Sequence, residues 1–129
     1  MSAASPWARA GGEAGVRAIL ERFYALVFAD LMIGFYFRRS DRARLVEREL
    51  ELMSEVLGGP LAYLGRTLEA AHRAHQIPSG HFDRRTRLLE RAMDAAGLDA
   101  EVRAIWLTHN AGERAHVVAD PSGACEGDR

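Results

Sequence analysis

The sequence predicts an all-α protein on three observations: apolar residues recur at steps of three and four, no segment alternates with a period of two, and glycine or proline punctuates the periodic stretches. At 129 residues, with 48% apolar and 27% charged residues, the composition is that of one globular domain around one core. No apolar run approaches the roughly twenty residues that a bilayer span needs, so a water-soluble chain with no membrane partner is expected. The first fifteen residues lack a long apolar core and a convincing cleavage site, which makes the cytoplasm the expected location.

Each element has its own signal. Residues 1–10 read as an N-terminal extension, and residues 11–118 as the domain. Val16, Ile19, Leu20, Phe23, Leu26 and Val27 line one face of a helix over about residues 12–29, entered through Gly11-Gly12. Gly34-Phe35-Tyr36-Phe37 then puts three aromatics into a short connection, where they are expected to cover something. Ser40 or Asp41 caps a second long helix that ends at Gly58. A third runs over about residues 61–75, with Leu61, Leu64, Leu68 and His72 on one stripe facing the core. A fourth starts near Gly80, carries Phe82, Leu89, Ala92, Met93 and Ala96, and stops at Gly97. Asp99 caps a fifth with Val102, Ile105, Trp106 and His109. Residues 119–129, with Cys125, are too polar and too rich in turn formers to pack.

Charge excludes some functions. All 17 basic residues are arginine, scattered over several segments, and the net charge is −1. Recognition of phosphates normally shows as a basic excess on one face, so nucleic acid is not an expected partner. A lone cysteine in a polar tail predicts neither a disulfide nor a thiol catalyst.

The chemically informative stretch is Leu57-Gly58-Gly59-Pro60-Leu61-Ala62-Tyr63-Leu64-Gly65-Arg66, followed by His72, Ile77 and His81-Phe82-Asp83. A helix is stopped, a second segment presents one imidazole, and Ile77-Pro78-Ser79-Gly80 breaks the chain again. A histidine between two breakers can be aimed. A single histidine on an apolar face is more often a hydrogen-bonded core residue than a ligand. His72 and His75, three apart, also have a spacing that can chelate zinc with help from Glu69 or His81, although further ligands have no clear placement. Tyr24 is read either as a core tyrosine or as a hydroxyl donor. Glu49 either turns to solvent and pairs with Arg42 or Arg48, or faces inward. His75, His81, His109 and His116 read as surface or helix-end residues.

These residues in this order resemble the truncated haemoglobins of group I, in which a Gly-Gly-Pro turn, a tyrosine and a Gly-Arg step precede the proximal histidine and a His-Phe pair follows it. The register runs without a gap from Gly11-Gly12 to Gly97, about two thirds of the chain. The resemblance implies a two-over-two sandwich of four helices around haem b, with His72 as the proximal iron ligand and not His75. It implies Phe37 against the porphyrin face, and Phe82, Ile77, Leu68, Leu89 and Met93 as apolar contacts on the proximal side. On the distal side it implies Tyr24 as hydrogen-bond donor to bound gas, Leu45 at the gate, and Leu52 and Met53 one turn later. Among Arg44, Arg48 and Arg66, it implies that some reach the haem propionates, without choosing which.

Glu49 departs from the family pattern, which usually has glutamine or another hydrogen-bonding residue there. An ionised carboxylate only accepts hydrogen bonds, so it draws the Tyr24 hydroxyl away from a ligand; a protonated one donates as an amide does. As a base it would take a proton from peroxide, with a gain of roughly 10²–10⁴-fold if well placed. The first functional expectation is therefore reversible binding or transport of oxygen, nitric oxide or carbon monoxide, by a monomer or weak dimer. The alternative is a haem enzyme, a nitric oxide dioxygenase or a peroxidase-like protein served by a separate reductase. The most remote is a haem-free helical interaction domain.

Overall fold

A computed structural model describes residues 4–63 and 77–118, excluding the side chains of His116 and Val117. The described residues form helices α1 (Pro6–Arg9), α2 (Gly12–Ala29), a short 3-10 helix (Gly34–Phe37), α3 (Arg42–Leu57), α4 (Ser79–Ala96), α5 (Ala100–Gly112) and α6 (Arg114–Val117). The only pairing of extended chain among them is an isolated bridge between Ile77 and Val118. No helix of the described residues is long and apolar enough to cross a membrane.

The helix boundaries follow the local chemistry of the sequence. Gly11 enters α2 with a φ of 100°, and Gly58 and Gly97 end α3 and α4 in the left-handed region, where glycine carries no Cβ penalty. Asp41, rather than Ser40, caps α3 by accepting hydrogen bonds from the Ala43 and Arg44 amides. Asp99 caps α5 in the same way through Glu101 and Val102.

Helix α2 is the hub: it packs on α3 and α4, and α3 in turn packs on α5. Val16, Ile19, Leu20, Phe23 and Val27 from α2 meet Val46, Leu50, Met53 and Leu57 from α3. Leu88, Leu89, Ala92 and Met93 from α4 close the core with Val102 and Trp106 from α5. Trp106 is thus a core residue and not a surface contact. A second, smaller cluster joins Ile77 and Phe82 with Tyr36 and Val118.

Three findings differ from the sequence reading. Within the first ten residues, read as an extension, α1 buries Trp7 at 8% exposure and Ala10 at 9% in the main core. Leu61, Ala62 and Tyr63 do not begin a helix. The Leu61 amide donates to Ser54 Oγ at 2.8 Å and the Tyr63 amide to Glu55 Oε2 at 2.8 Å, so both are held back against the end of α3. Of the three connecting aromatics, Tyr36 and Phe37 pack on the core, whereas Phe35 is half exposed and stacks on Tyr36 with ring centroids 4.1 Å apart. Residues 64–76, most of the expected third helix, lie outside the described residues.

Two polar anchors hold the connections. The Asp30 carboxylate accepts from the Met32 and Ile33 amides at 3.0 and 3.1 Å and from Arg84 Nε and Nη2 at 2.9 and 2.7 Å, tying the end of α2 to α4. Arg84 is the first cause holding the Asp30 carboxyl below its ordinary range. Gly59 lets Trp7 lie flat on the end of α3: a Cβ there would stand 2.5 Å from Trp7 Cδ2 and 2.6 Å from Ser54 Oγ.

Two outcomes are expected. Gly59→Ala should destabilise the fold by about 1–3 kcal/mol through overpacking, with quenching of Trp7 fluorescence altered, as read by urea denaturation. Asp30→Ala should cost about 2–4 kcal/mol, because two amides and a guanidinium lose their acceptor. A depressed folded pKa means that the Asp30 contribution is present above the unfolded carboxyl value and lost as pH falls through the folded one. The gap between wild type and Asp30→Ala should therefore narrow on acidification.

Candidate functional site

A cluster of polar side chains sits where α2, α3, α4 and α5 converge, inside an otherwise apolar core. Tyr24 is 4% exposed, with its ring edge-on to Phe23 at 4.8 Å and to Phe37 at 6.4 Å. Its hydroxyl donates toward Glu49 Oε1 across a long 3.5 Å contact. Arg85 Nη1 donates to Asn110 Oδ1 at 2.9 Å, and its positive charge acts on Tyr24 and Glu49. The guanidinium also lies over the Phe23 ring, 5.0 Å from its centroid. Asn110 Nδ2 passes the network to Thr86 Oγ1 at 2.9 Å, and Thr86 donates to the Phe82 carbonyl at 3.2 Å. Behind Arg85, His109 Nε2 and Glu113 Oε2 are 2.8 Å apart, with side-chain exposures of 21% and 5%.

The electrostatics follow from this enclosure. Burial, with the Glu49 carboxylate second, pushes the Tyr24 phenol far above its ordinary value, so it remains protonated. Burial also raises the Glu49 carboxyl, opposed by the positive charge of Arg85. Burial acts against the Arg85 cation, but Tyr24, Glu49 and Glu113 outweigh it and keep it charged. The hydrogen bond to Glu113 raises His109 against the opposing effect of burial. Glu49 and Arg85 each retain some exposed surface, yet their charged heads are solvated mainly by protein.

Among the residues singled out by sequence, the structure brings Tyr24, Phe37 and Glu49 together, with Leu45 half-buried against the same core. Glu49 faces Tyr24 and not Arg42 or Arg48; Arg42 instead lies over the Phe28 ring at 5.6 Å. Met53, Leu89 and Met93 are in the main core, Leu52 is half-buried, and Ile77 and Phe82 belong to the second cluster. Arg44 is exposed and Arg48 half-buried. His72, Arg66 and Leu68 lie outside the described residues. His81 Nδ1 is 2.7 Å from Tyr36 Oη, which ties the aromatic connection to α4.

Sequence reasoning missed Arg85, Asn110 and Glu113. It read His109 as a surface or helix-end residue, and His109 stands in the last turn of α5, half-buried and paired with a nearly enclosed Glu113. A signal was present. Arg85 stands three residues after Phe82 and four before Leu89, on the buried stripe of α4, and Asn110 follows Val102 and Trp106 at steps of four.

A family model described as bacterial-like globin matches residues 6–117. The group 1 truncated hemoglobin GlbN of Mycolicibacterium paratuberculosis is 32% identical over 98 residues, 76% of this chain and 72% of that protein. Among solved structures, the truncated hemoglobin of Tetrahymena pyriformis in its Fe(III) form superimposes with a TM-score of 0.77 at 22% identity, covering 88% of this chain and 98% of that one. The group II truncated hemoglobin of Bacillus anthracis gives 0.82 at 22% identity, covering 93% and 95%. The ciliate protein has also been solved with one tyrosine changed to phenylalanine and, separately, with each of two glutamines changed to glutamate. Those three positions are 21 and four residues apart, as are Tyr24, Leu45 and Glu49 here. The chain belongs to the truncated haemoglobins, with their two-over-two globin fold, and that family implies gas binding at a haem.

Glu49 and His109 both have raised folded pKa values, so their contributions to stability are present below their unfolded values and lost as pH rises through the folded ones. Stability to urea should therefore fall as pH rises above the ordinary glutamate value, and fall further above the ordinary histidine value. Glu49→Gln should flatten the acidic part of that decline, and Glu113→Gln the part near neutrality. Parallel profiles in all three proteins would contradict the placement of these charges.

Proposed function

We propose that this protein binds haem b in the cytoplasm through His72 and reversibly captures a diatomic gas, oxygen first, on the face that carries Tyr24 and Glu49. The observation that carries this reading is a protonated hydroxyl, Tyr24, enclosed in an apolar core with Phe37 edge-on to its ring, which makes an apolar surface with a single donor. Such a surface suits a flat apolar cofactor, and the hydroxyl suits a ligand with partial negative charge. The matching separations of tyrosine and the two glutamine positions in the ciliate structures support the same assignment.

The iron of the haem supplies the gas-binding centre. His72 would hold it, and Phe37, Leu45, Leu52, Met53, Leu68, Ile77, Phe82, Leu89 and Met93 would keep water off the cofactor. Arg48 and Arg66 would fork onto the propionates. Tyr24 has one proton to donate. When Glu49 is ionised that proton is drawn toward the carboxylate at 3.5 Å; when Glu49 is protonated, both side chains can donate to a ligand. Oxygen should therefore be held more tightly with Glu49 protonated.

The inward turn of Glu49 favours one second reading, an enzyme. A carboxylate facing the ligand can hold or return a proton, as nitric oxide dioxygenation or peroxide turnover requires, with electrons from a separate reductase.

The test is an absorption titration with haem, recorded ferric, ferrous and ferrous–CO, with His72→Ala alongside. Stoichiometric uptake and a five-coordinate, histidine-ligated ferrous spectrum, lost in the variant, are expected. No saturable uptake, or spectra unchanged by the substitution, would overturn the assignment.

A further inference from the structure

The connection after α2 carries a feature that gas binding does not use. Among the described residues the exposed large apolar side chains are Leu31, Met32 and Phe35, the first fully exposed and the other two about half exposed. They share one stretch of backbone, and that backbone is held in place. Asp30 accepts from the Met32 and Ile33 amides and from Arg84, the Ile33 side chain is buried, and a Cβ on Gly34 would stand 2.9 Å from the Phe28 carbonyl oxygen. Met32 borders a surface hollow of about 500 Å³ with Gly80, Arg84 and Arg87, and the Phe35 ring stands edge-on to His81 at 6.4 Å, so both flank the start of α4. An anchored loop that leaves three such side chains in water presents apolar surface for a partner to cover.

The neighbouring charge selects the kind of partner. Arg38, Arg39, Arg42 and Arg44 follow directly, all exposed, and none of them meets a carboxylate among the described residues. Arg42 lies over the Phe28 ring, 5.6 Å from its centroid, which brings its charge back to the end of α2, just before Leu31 and Met32. The carboxylate within the stretch, Asp41, is turned to the amides that it caps. We propose that residues 31–44 are a docking surface for an anionic phospholipid membrane: Leu31, Met32 and Phe35 enter the boundary between headgroups and acyl chains, and the arginines pair with lipid phosphates. A side chain as exposed as Leu31 is covered best by a partner that yields around it, as a bilayer does. A two-fold contact with a second copy over this face would instead bring like-charged arginines together. The whole chain has a net charge of −1, so the attraction belongs to this face and not to the molecule. The docking is peripheral, with the apolar side chains of one connection and no spanning helix.

This inference does not rest on haem uptake, so it and the gas-binding reading fail separately. The experiment is co-sedimentation of the full chain with vesicles of about 30% phosphatidylglycerol in phosphatidylcholine, with pure phosphatidylcholine vesicles alongside and sedimentation velocity without lipid. The wild type should bind the anionic vesicles, at least about tenfold more weakly on phosphatidylcholine alone, and should be released by about 0.5 M salt. Leu31→Ser with Phe35→Ser should weaken binding about tenfold, and Arg38→Gln with Arg39→Gln by about tenfold or more. Arg22→Gln with Arg91→Gln, which removes two exposed charges outside the stretch, should change it less than about twofold. All these positions are exposed, so urea midpoints should match the wild type and keep the comparison valid. Absence of binding to the anionic vesicles would overturn the proposal. So would an equal loss in the Arg22 and Arg91 pair, or binding that survives the two serine substitutions, since either would reduce the effect to general charge attraction. Self-association abolished by the serine substitutions, with no vesicle binding, would assign the patch to a second copy and overturn the membrane.

Discussion

The structure depends on keeping one positive charge inside it. Arg85 stands on the buried stripe of α4, between Phe82 and Leu89, where an aliphatic side chain would pack without electrostatic cost. A cation there is tolerable only with partners, and they come from every neighbouring helix: Tyr24 from α2, Glu49 from α3, Asn110 from α5 and Glu113 from the turn after it. Removing any one partner leaves a buried charge less well matched, which is why such clusters are sensitive to single substitutions. The cluster therefore adds polar links between the helices to the packing of the apolar core around it.

That constraint also gives the site its chemical character. A tyrosine in an apolar pocket is a fixed donor. Tyrosine beside a carboxylate and a guanidinium has a hydrogen-bond direction that depends on where a single proton resides. Phe37 and Leu45 supply the dry wall that makes these charge differences matter, since the same groups in water would be screened. Fold alone does not select gas capture over turnover.

Much of the fold was legible because helix ends have local chemical causes. Gly11, Gly58, Gly97, Asp41 and Asp99 each act within one turn, and the structure puts boundaries where they stand. The three-and-four spacing of α2 likewise needs no tertiary information. What escaped depends on contacts between distant segments. Leu61–Tyr63 is drawn out of helix by Ser54 and Glu55, and Trp7 is buried because Gly59 leaves room for it. The site was half legible. Tyr24 and Glu49 stood out through the family register, but nothing local marked Arg85 or Asn110; Asn110 is buried and Arg85 half-buried because α2, α3 and α5 pack around α4. His109 required knowing that Glu113 turns inward.

The short helix at the start of the chain has a consequence for the order of folding. Arg9 bonds to Asp99 at 2.6 Å and to Glu101 at 2.8 Å, partners 90 and 92 residues further along. Its neighbour Trp7 waits for Gly59. During synthesis, therefore, α1 leaves the ribosome well before the partners of Arg9 and can complete its docking only after them. Trp7 can pack once the end of α3 has emerged, whereas the ion pairs of Arg9 wait for α5, so α1 docks in two stages.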